Sequence, residues 1–87
     1  MKKTEGYRIR KLEDEYVVLP FGKRAEEVNE VISLSETAGF MYLHAEEVDS
    51  AEELAELVSK AYEVEKSVVY EDVVSVVRTL REKGLLL

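Results

Sequence analysis

The sequence predicts an α+β fold in which three strands of an antiparallel sheet precede three helices. Up to Ser35, apolar residues recur at every second position and the turns carry Gly and Pro, which is typical of strands. After Ser35, apolar residues recur at every third or fourth position, which is the spacing of one helix face. With 87 residues, the chain has room for one domain, predicted over residues 1–87.

The strands are predicted at residues 7–12, 16–20 and 28–34. Apolar and basic side chains alternate in the first strand, whereas the second is apolar on both faces and ends at Pro20, which cannot donate to a ladder. Residues 23–27 are polar and are predicted to form a loop. In the third strand, Ile32 and Leu34 share a face. The outer edge of this strand lacks a partner if it pairs only with the hairpin.

The helices are predicted at residues 35–46, 50–62 and 71–83, with a connector over residues 63–67. Ser35 and Ser50 are the predicted N-caps, and Glu53 forms a capping box with Ser50. Gly39 lies inside the first helix, where glycine is unfavourable, and this predicts a close approach by a neighbouring group. The apolar tail of residues 85–87 is predicted to pack back onto the domain.

Charge and composition exclude several classes of protein. The net charge is −7, with 19 acidic and 12 basic residues, and this opposes binding to nucleic acid and to acidic membrane surfaces. Basic residues cluster near the two ends of the chain, so local positive patches are compatible with this charge. There is no cysteine, no apolar run long enough to cross a bilayer and no secretion signal, so we expect a cytoplasmic protein.

No group of residues indicates catalysis. His44 is the only histidine, and no second histidine or any cysteine is available to share a metal ion with it. Ser33, Ser35 and Ser50 are explained as strand or cap residues, since no Gly-flanked nucleophile elbow is present. The four glycines do not form a phosphate-binding loop. We therefore predict no enzyme activity, no catalytic residue, no cofactor and no metal site.

The last predicted helix carries a mixed flank beside its core stripe. Tyr70, Val74, Arg78 and Arg81 fall on this flank at helical spacing. A boundary face, in which long side-chain stems cover apolar edges, explains such a mixture. An open strand edge next to a helix is also the arrangement that captures an extended peptide as an added strand. Composition alone leaves both interpretations open.

Four segments between Gly6 and Leu86 together resemble the PqqD-like family. They are GYRIRKLEDEYVVLP, the Asn29 segment running into VISLSETAGF, VDSAEELAELVSKAYEV and EDVVSVVRTLREKGLL. The resemblance implies a winged-helix-like fold with a three-stranded antiparallel sheet packed on three helices. It also implies a recognition element for ribosomally synthesised and post-translationally modified peptides. Ser35 and Tyr42 depart from the family pattern, in which Asn and Trp are frequent at these positions.

The same resemblance implies a peptide chaperone that binds the leader region of a precursor peptide and presents it to a radical S-adenosylmethionine (radical SAM/SPASM) maturase. The leader would add as a fourth strand along Val28 to Leu34, with Asp72 to Lys83 as the other wall of the groove. The predicted peptide-binding residues are Asn29, Glu30, Val31, Ile32, Ser33, Tyr70, Val74, Arg78 and Arg81. The two arginines favour a leader with acidic residues.

Two alternatives to the peptide-chaperone interpretation remain open. The first is a structural or regulatory interaction module that forms a homodimer, or binds a folded partner, through the same sheet edge. The second is a DNA-binding winged helix. Glu71, Asp72 and Glu82 weaken the second alternative, because they place acidic groups on the helix that would contact phosphates.

Overall fold

A computed structural model, which describes residues 1–87, contains a three-stranded antiparallel sheet followed by helices. The strands are β1 (Tyr7–Leu12), β2 (Glu15–Pro20) and β3 (Ile32–Ser35), and they lie in the order β1-β2-β3. The helices are α1 (Lys23–Glu27), α2 (Glu36–His44), α3 (Ala51–Tyr62) and α4 (Lys66–Glu82), with a 3-10 turn at Ala45–Glu47. This order confirms the predicted α+β fold class.

The third strand is shorter than predicted, since it begins at Ile32 instead of residue 28 and ends at Ser35. Hydrogen bonds alternate sides along an antiparallel strand. The Phe21 N–H donates to the Gly6 carbonyl at 2.9 Å, on the β1 side, so Pro20 directs its backbone groups toward β3. Because Pro20 has no N–H, the β2–β3 ladder cannot extend beyond the pairing of Val18 with Ile32.

Residues 23–27 form the short helix α1, so the prediction of a loop there was wrong. Gly22 turns the chain with a φ of +60°, a conformation that favours glycine, and Ala25 N–H then donates to its carbonyl at 3.1 Å. The segment KRAEE consists of good helix formers, so one turn forms without a buried residue. The fold therefore contains four α-helices instead of three.

Helix α4 begins at Lys66, five residues before the predicted start, and the connector shrinks to residues 63–65. Glu63 ends α3 in the left-handed conformation, and the Ser59 hydroxyl donates to the Val64 carbonyl at 2.5 Å. The added helical turn packs Val69 against the core. The β-branched pair Val68–Val69 has low helix propensity, and this packing contact overrides it.

Both predicted serine caps are present. The Ser35 hydroxyl accepts from Ala38 N–H, and the Ser50 hydroxyl accepts from Glu53 N–H, each at 3.2 Å. The Glu53 carboxylate accepts from the N–H of Asp49, one residue before the N-cap, at 3.0 Å. The two serine caps are therefore as predicted, whereas the Glu53 carboxylate bonds to Asp49 N–H and not to the Ser50 N–H expected of a capping box.

Gly39 allows α2 to lie directly against the sheet. A Cβ atom at this position would be 2.1 Å from Tyr16 Cδ2, a distance that no side chain can accommodate without a shift of the ring. The close approach predicted from the glycine is therefore confirmed, and the neighbour is the ring of a β2 residue. Because α2 also contacts β3 and α4, this close approach helps to fix the sheet relative to the helices.

The core is entirely apolar, and the tail of the chain completes it. Its 16 buried residues come from β2, β3, α2, the 3-10 turn and the residue after it, α3, α4 and the tail: Val18, Ile32, Leu34, Ala38, Met41, Tyr42, Ala45, Val48, Leu54, Ala55, Val58, Val73, Val77, Leu80, Leu85 and Leu86. Thr4 N–H donates to the Leu85 carbonyl at 3.0 Å, so the tail pairs with the N-terminal segment. The tail packs back as predicted and leaves β3 uncovered. None of the helices combines the length and apolar character that a membrane span requires.

Candidate functional site

The edge of β3 offers unpaired backbone groups. The hydrogen-bond alternation directs Ile32 and Leu34 toward β2 and directs Ser33 toward the open edge. The backbone of Ser33 bonds to no other segment of the chain. On the faces of the sheet, the side chains of Ile32 and Leu34 are buried in the core and that of Ser33 is exposed. The edge therefore presents a free N–H and a free C=O that an added strand can use.

The predicted strand-side residues divide into two groups. Asn29, Glu30 and Val31 lie in the segment before β3 and are exposed, with Val31 54% exposed. Ser33 is exposed within the strand. Ile32 differs, because its side chain lies in the core and its backbone groups face β2. Ile32 thus supports the edge from within and does not face a guest peptide.

The four predicted helix-side residues lie together on α4. A shallow depression of about 310 Å³ is lined by Tyr70, Val74 and Arg78 with two neighbours. A second, of about 290 Å³, contains Val74, Arg78 and Arg81. Because the two depressions share Val74 and Arg78, they adjoin along the helix. The flank predicted from helical spacing is therefore a continuous exposed trough.

The two arginines of this trough differ in whether their guanidinium groups are already hydrogen-bonded. Arg81 Nε donates to the Leu87 carbonyl at 3.2 Å, so its guanidinium is held at the tail. Arg78 is exposed and forms neither a hydrogen bond nor an ion pair. The ion pairs of the chain are His44–Glu47 and Lys66–Glu56, which lie outside the trough. Arg78 is thus the cation available to an acidic ligand.

The β3 edge and the α4 trough are joined through α2. Neither depression on α4 includes a β3 residue, so the structure brings the helix residues together without the strand residues. Helix α2 packs against both β3 and α4, and Ile32, Leu34, Val73 and Val77 share one core. β3 and α4 are therefore held at fixed positions by packing against the same core.

Sequence reasoning missed the largest cavity of the structure, which measures about 730 Å³. Four separate segments line it: residues 3–7 with Ile9, residues 21–24 with Glu27, Tyr42 and Glu46. The concentration of basic residues near the N-terminus was the one signal in the sequence that pointed to this region. Burial raises the pKa of Tyr42 above its ordinary value of 10.0, and the nearby Glu46 carboxylate and Tyr7 add to this effect. The Tyr42 phenol therefore stays neutral at physiological pH.

A family model and two solved structures resemble this chain. The model described as coenzyme PQQ synthesis protein D (PqqD) matches residues 15–86. "TbiB1 in Complex with the TbiA(beta) Leader Peptide" is 23% identical, with a TM-score of 0.73 over 99% of this chain and 94% of that chain. "Lasso peptide synthetase B1 complexed with the leader peptide" is 21% identical, with a TM-score of 0.71 over 99% of this chain and 95% of that chain. At these identities the likeness establishes the fold. No curated protein matches the chain.

Proposed function

Because the chain belongs to the PqqD family, we propose that it is a non-catalytic recognition element that binds the leader region of a ribosomally synthesised precursor peptide. The observation that carries this proposal is the unpaired edge of β3, where Ser33 directs its N–H and C=O away from the sheet. Two proteins of the same fold have been solved with a leader peptide bound, which supports the same role here.

In this proposal the leader adds to β3 as a fourth strand. Main-chain hydrogen bonds between the leader and the β3 edge, at Ser33 and the residues before it, supply affinity that does not depend on the leader's sequence. Alternate side chains of the leader supply specificity. Val31 offers an exposed apolar contact next to the edge. On the helix side, Tyr70 and Val74 offer apolar surface and Arg78 a free cation. The leader that fits is extended, partly apolar and acidic.

We further infer that the bound leader is presented to a radical SAM/SPASM maturase. The description of the matching family, a coenzyme synthesis protein, supports a role within a biosynthetic pathway. A recognition element that holds only the leader leaves the rest of the precursor free for a separate enzyme. The catalytic chemistry would then belong to that enzyme, and this chain would supply binding and position.

We expect Ser33→Pro to weaken binding of the precursor peptide encoded beside this gene strongly. Proline removes the outward N–H of β3 and blocks the approach of a guest strand, while the bonds from Ile32 and Leu34 to β2 remain. The loss of main-chain pairing should weaken binding at least about tenfold, since each hydrogen bond contributes roughly 1 kcal/mol and neighbouring bonds are lost with it. Calorimetric titration measures the affinity.

Ser33→Ala is the matched control, because it keeps the backbone N–H and removes only an exposed hydroxyl. This variant should bind the peptide as the parent protein does. Equal binding by Ser33→Pro would contradict the proposal. If the parent protein instead self-associates at this edge and only Ser33→Pro is monomeric, the dimerising interaction module would be the better description.

Arg78→Glu should weaken binding of the same peptide several-fold and reduce its dependence on salt, because it reverses the free cation of the α4 trough. The measurement is a binding titration at low and at physiological salt. Lys60→Glu makes the same change of charge on an exposed residue of α3, outside both depressions. An equal effect of both substitutions would show that Arg78 acts through the net charge of the protein and makes no direct contact with the peptide.

A further inference from the structure

The sheet has a second open edge, on β1. The hydrogen-bond alternation directs Arg8 and Arg10 toward β2 and directs Tyr7, Ile9 and Lys11 outward. No backbone hydrogen bond joins the outer side of β1 to any other segment. At six residues, β1 is longer than the four-residue β3, so this edge presents more unpaired groups than the edge assigned to the leader.

The large cavity adjoins this edge on the inner face of the sheet. Tyr7 and Ile9 line it, and their backbone groups are the ones that face outward. Tyr42 adds further aromatic surface to the lining, whereas the Phe21 ring lies against the Arg8 guanidinium. At about 730 Å³, this open cavity lies in the size range of ligand sites, and its lining combines the apolar surface of Tyr7, Ile9 and Tyr42 with charged side chains. Thr4, another lining residue, has a solvent-shielded hydroxyl without a hydrogen-bond partner.

Unpaired cations surround the same edge. Arg8 and Arg10 are exposed on the outer face of β1, and neither forms an ion pair. The Arg8 guanidinium lies 4.5 Å from the centre of the Phe21 ring, and Arg24 lies 5.6 Å from that of Tyr7. The cavity is lined by three carboxylates (Glu5, Glu27 and Glu46) and three cations (Lys3, Lys23 and Arg24), so formal charges balance there. The unbalanced positive charge available to a partner is thus that of Arg8 and Arg10 on the outer face.

We propose that the β1 edge and its cavity form a second binding site, which accepts an extended segment of a partner protein in which acidic and apolar residues alternate. Side chains of an added strand point alternately to the two faces of the sheet. Acidic residues on one side would meet Arg8 and Arg10, and apolar residues on the other would meet Tyr7, Ile9 and the cavity. Pairing of two copies through β1 is opposed, since it would bring the arginines of both copies together.

A site on β1 lies at the opposite edge of the sheet from β3, with β2 between them. The domain can therefore hold a precursor peptide and a partner protein at the same time. This inference does not depend on the proposed leader site, because the two edges share no backbone group. Each can be blocked without altering the other.

The test uses a short synthetic peptide in which Glu alternates with Val around a central Phe, and a matched peptide with Lys in place of Glu. Titration of the isotope-labelled protein, followed by amide chemical shifts, should show the Glu peptide perturbing Tyr7, Ile9 and Lys11. The Lys peptide should leave these amides unchanged. Lys11→Pro, which removes an outward N–H of β1, should weaken binding of the Glu peptide about tenfold.

Lys11→Ala and Ser33→Pro are the controls. Lys11→Ala keeps the N–H and should retain most of the affinity measured from the Tyr7, Ile9 and Lys11 amides. Ser33→Pro blocks only the β3 edge, so the shifts of these β1 amides should persist unchanged in this variant. If Lys11→Pro alters the fold, the double variant Arg8→Glu/Arg10→Glu replaces it and should exchange the preference from the Glu peptide to the Lys peptide.

Shifts confined to β3, or binding that Lys11→Pro and the arginine variant leave unchanged, would overturn the second site. Self-association of the parent protein that is lost in Lys11→Pro would show that a second copy occupies this edge, and the assignment to a partner protein would then be wrong. A result against β1 leaves the Ser33→Pro test of the leader site unaffected.

Discussion

Leu85→Ala should lower the free energy of unfolding by roughly 2–5 kcal/mol, the usual cost of deleting most of a fully buried leucine side chain. Leu85 is 0% exposed and belongs to the core, although it lies beyond the last helix. Its N–H donates to the Leu80 carbonyl at 2.8 Å, so the tail is fixed directly after α4. Chemical denaturation monitored by circular dichroism measures the change.

Leu87→Ala removes the same atoms two residues later, where the side chain is 66% exposed. This control should change the free energy of unfolding by no more than about 0.5 kcal/mol. Similar losses in the two variants would mean that the tail contributes through general hydrophobicity. A small loss for Leu85→Ala would contradict the docking of the tail into the core.

Gly39→Val should lower the free energy of unfolding by about 2–3 kcal/mol, because the new side chain overpacks the contact between α2 and the sheet. An added Cβ would lie 2.1 Å from Tyr16 Cδ2 and 2.5 Å from Cγ, so the base of the ring must move. The improved helix propensity over glycine, at most about 1 kcal/mol, offsets only part of this cost.

A double-mutant cycle identifies the cause of the loss. In a Tyr16→Leu background the ring is absent, so Gly39→Val should cost markedly less than it does in the parent protein. The measurement is thermal and chemical denaturation of the four proteins. An undiminished cost in the Tyr16→Leu background would show that the glycine is required for some reason other than this contact.

Local signals were sufficient to predict the fold class, both serine caps and the contact at Gly39. The caps depend on residues close together in sequence, and the position of Gly39 inside a helix predicted a close approach without identifying its neighbour, Tyr16. The start of β3 was predicted four residues too early, because its cause lies in another strand. Pro20 ends the ladder only through the register of β2 against β3, which the sequence does not reveal. The extra turn of α4 was also missed, since packing of Val69 stabilises it against its propensity.

The candidate site was likewise predicted where local sequence determines it and missed where the folded chain determines it. Helical spacing alone predicted that Tyr70, Val74, Arg78 and Arg81 would share one flank, and they do. The inward orientation of Ile32 depends on strand register and was not predicted for the site. The cavity beside β1 was missed because it is assembled from four segments whose proximity arises only in the folded chain.

Pro20 has a further consequence for self-association at the β3 edge. By ending the ladder at Ile32, it keeps the uncovered part of β3 to a few residues. Long flat strand borders recruit further copies of the same chain and promote fibril growth, whereas brief ones do not offer enough pairing to hold such stacks. A proline in the neighbouring strand thus limits self-association through β3, while the arginines of β1 oppose it at the other edge of the sheet.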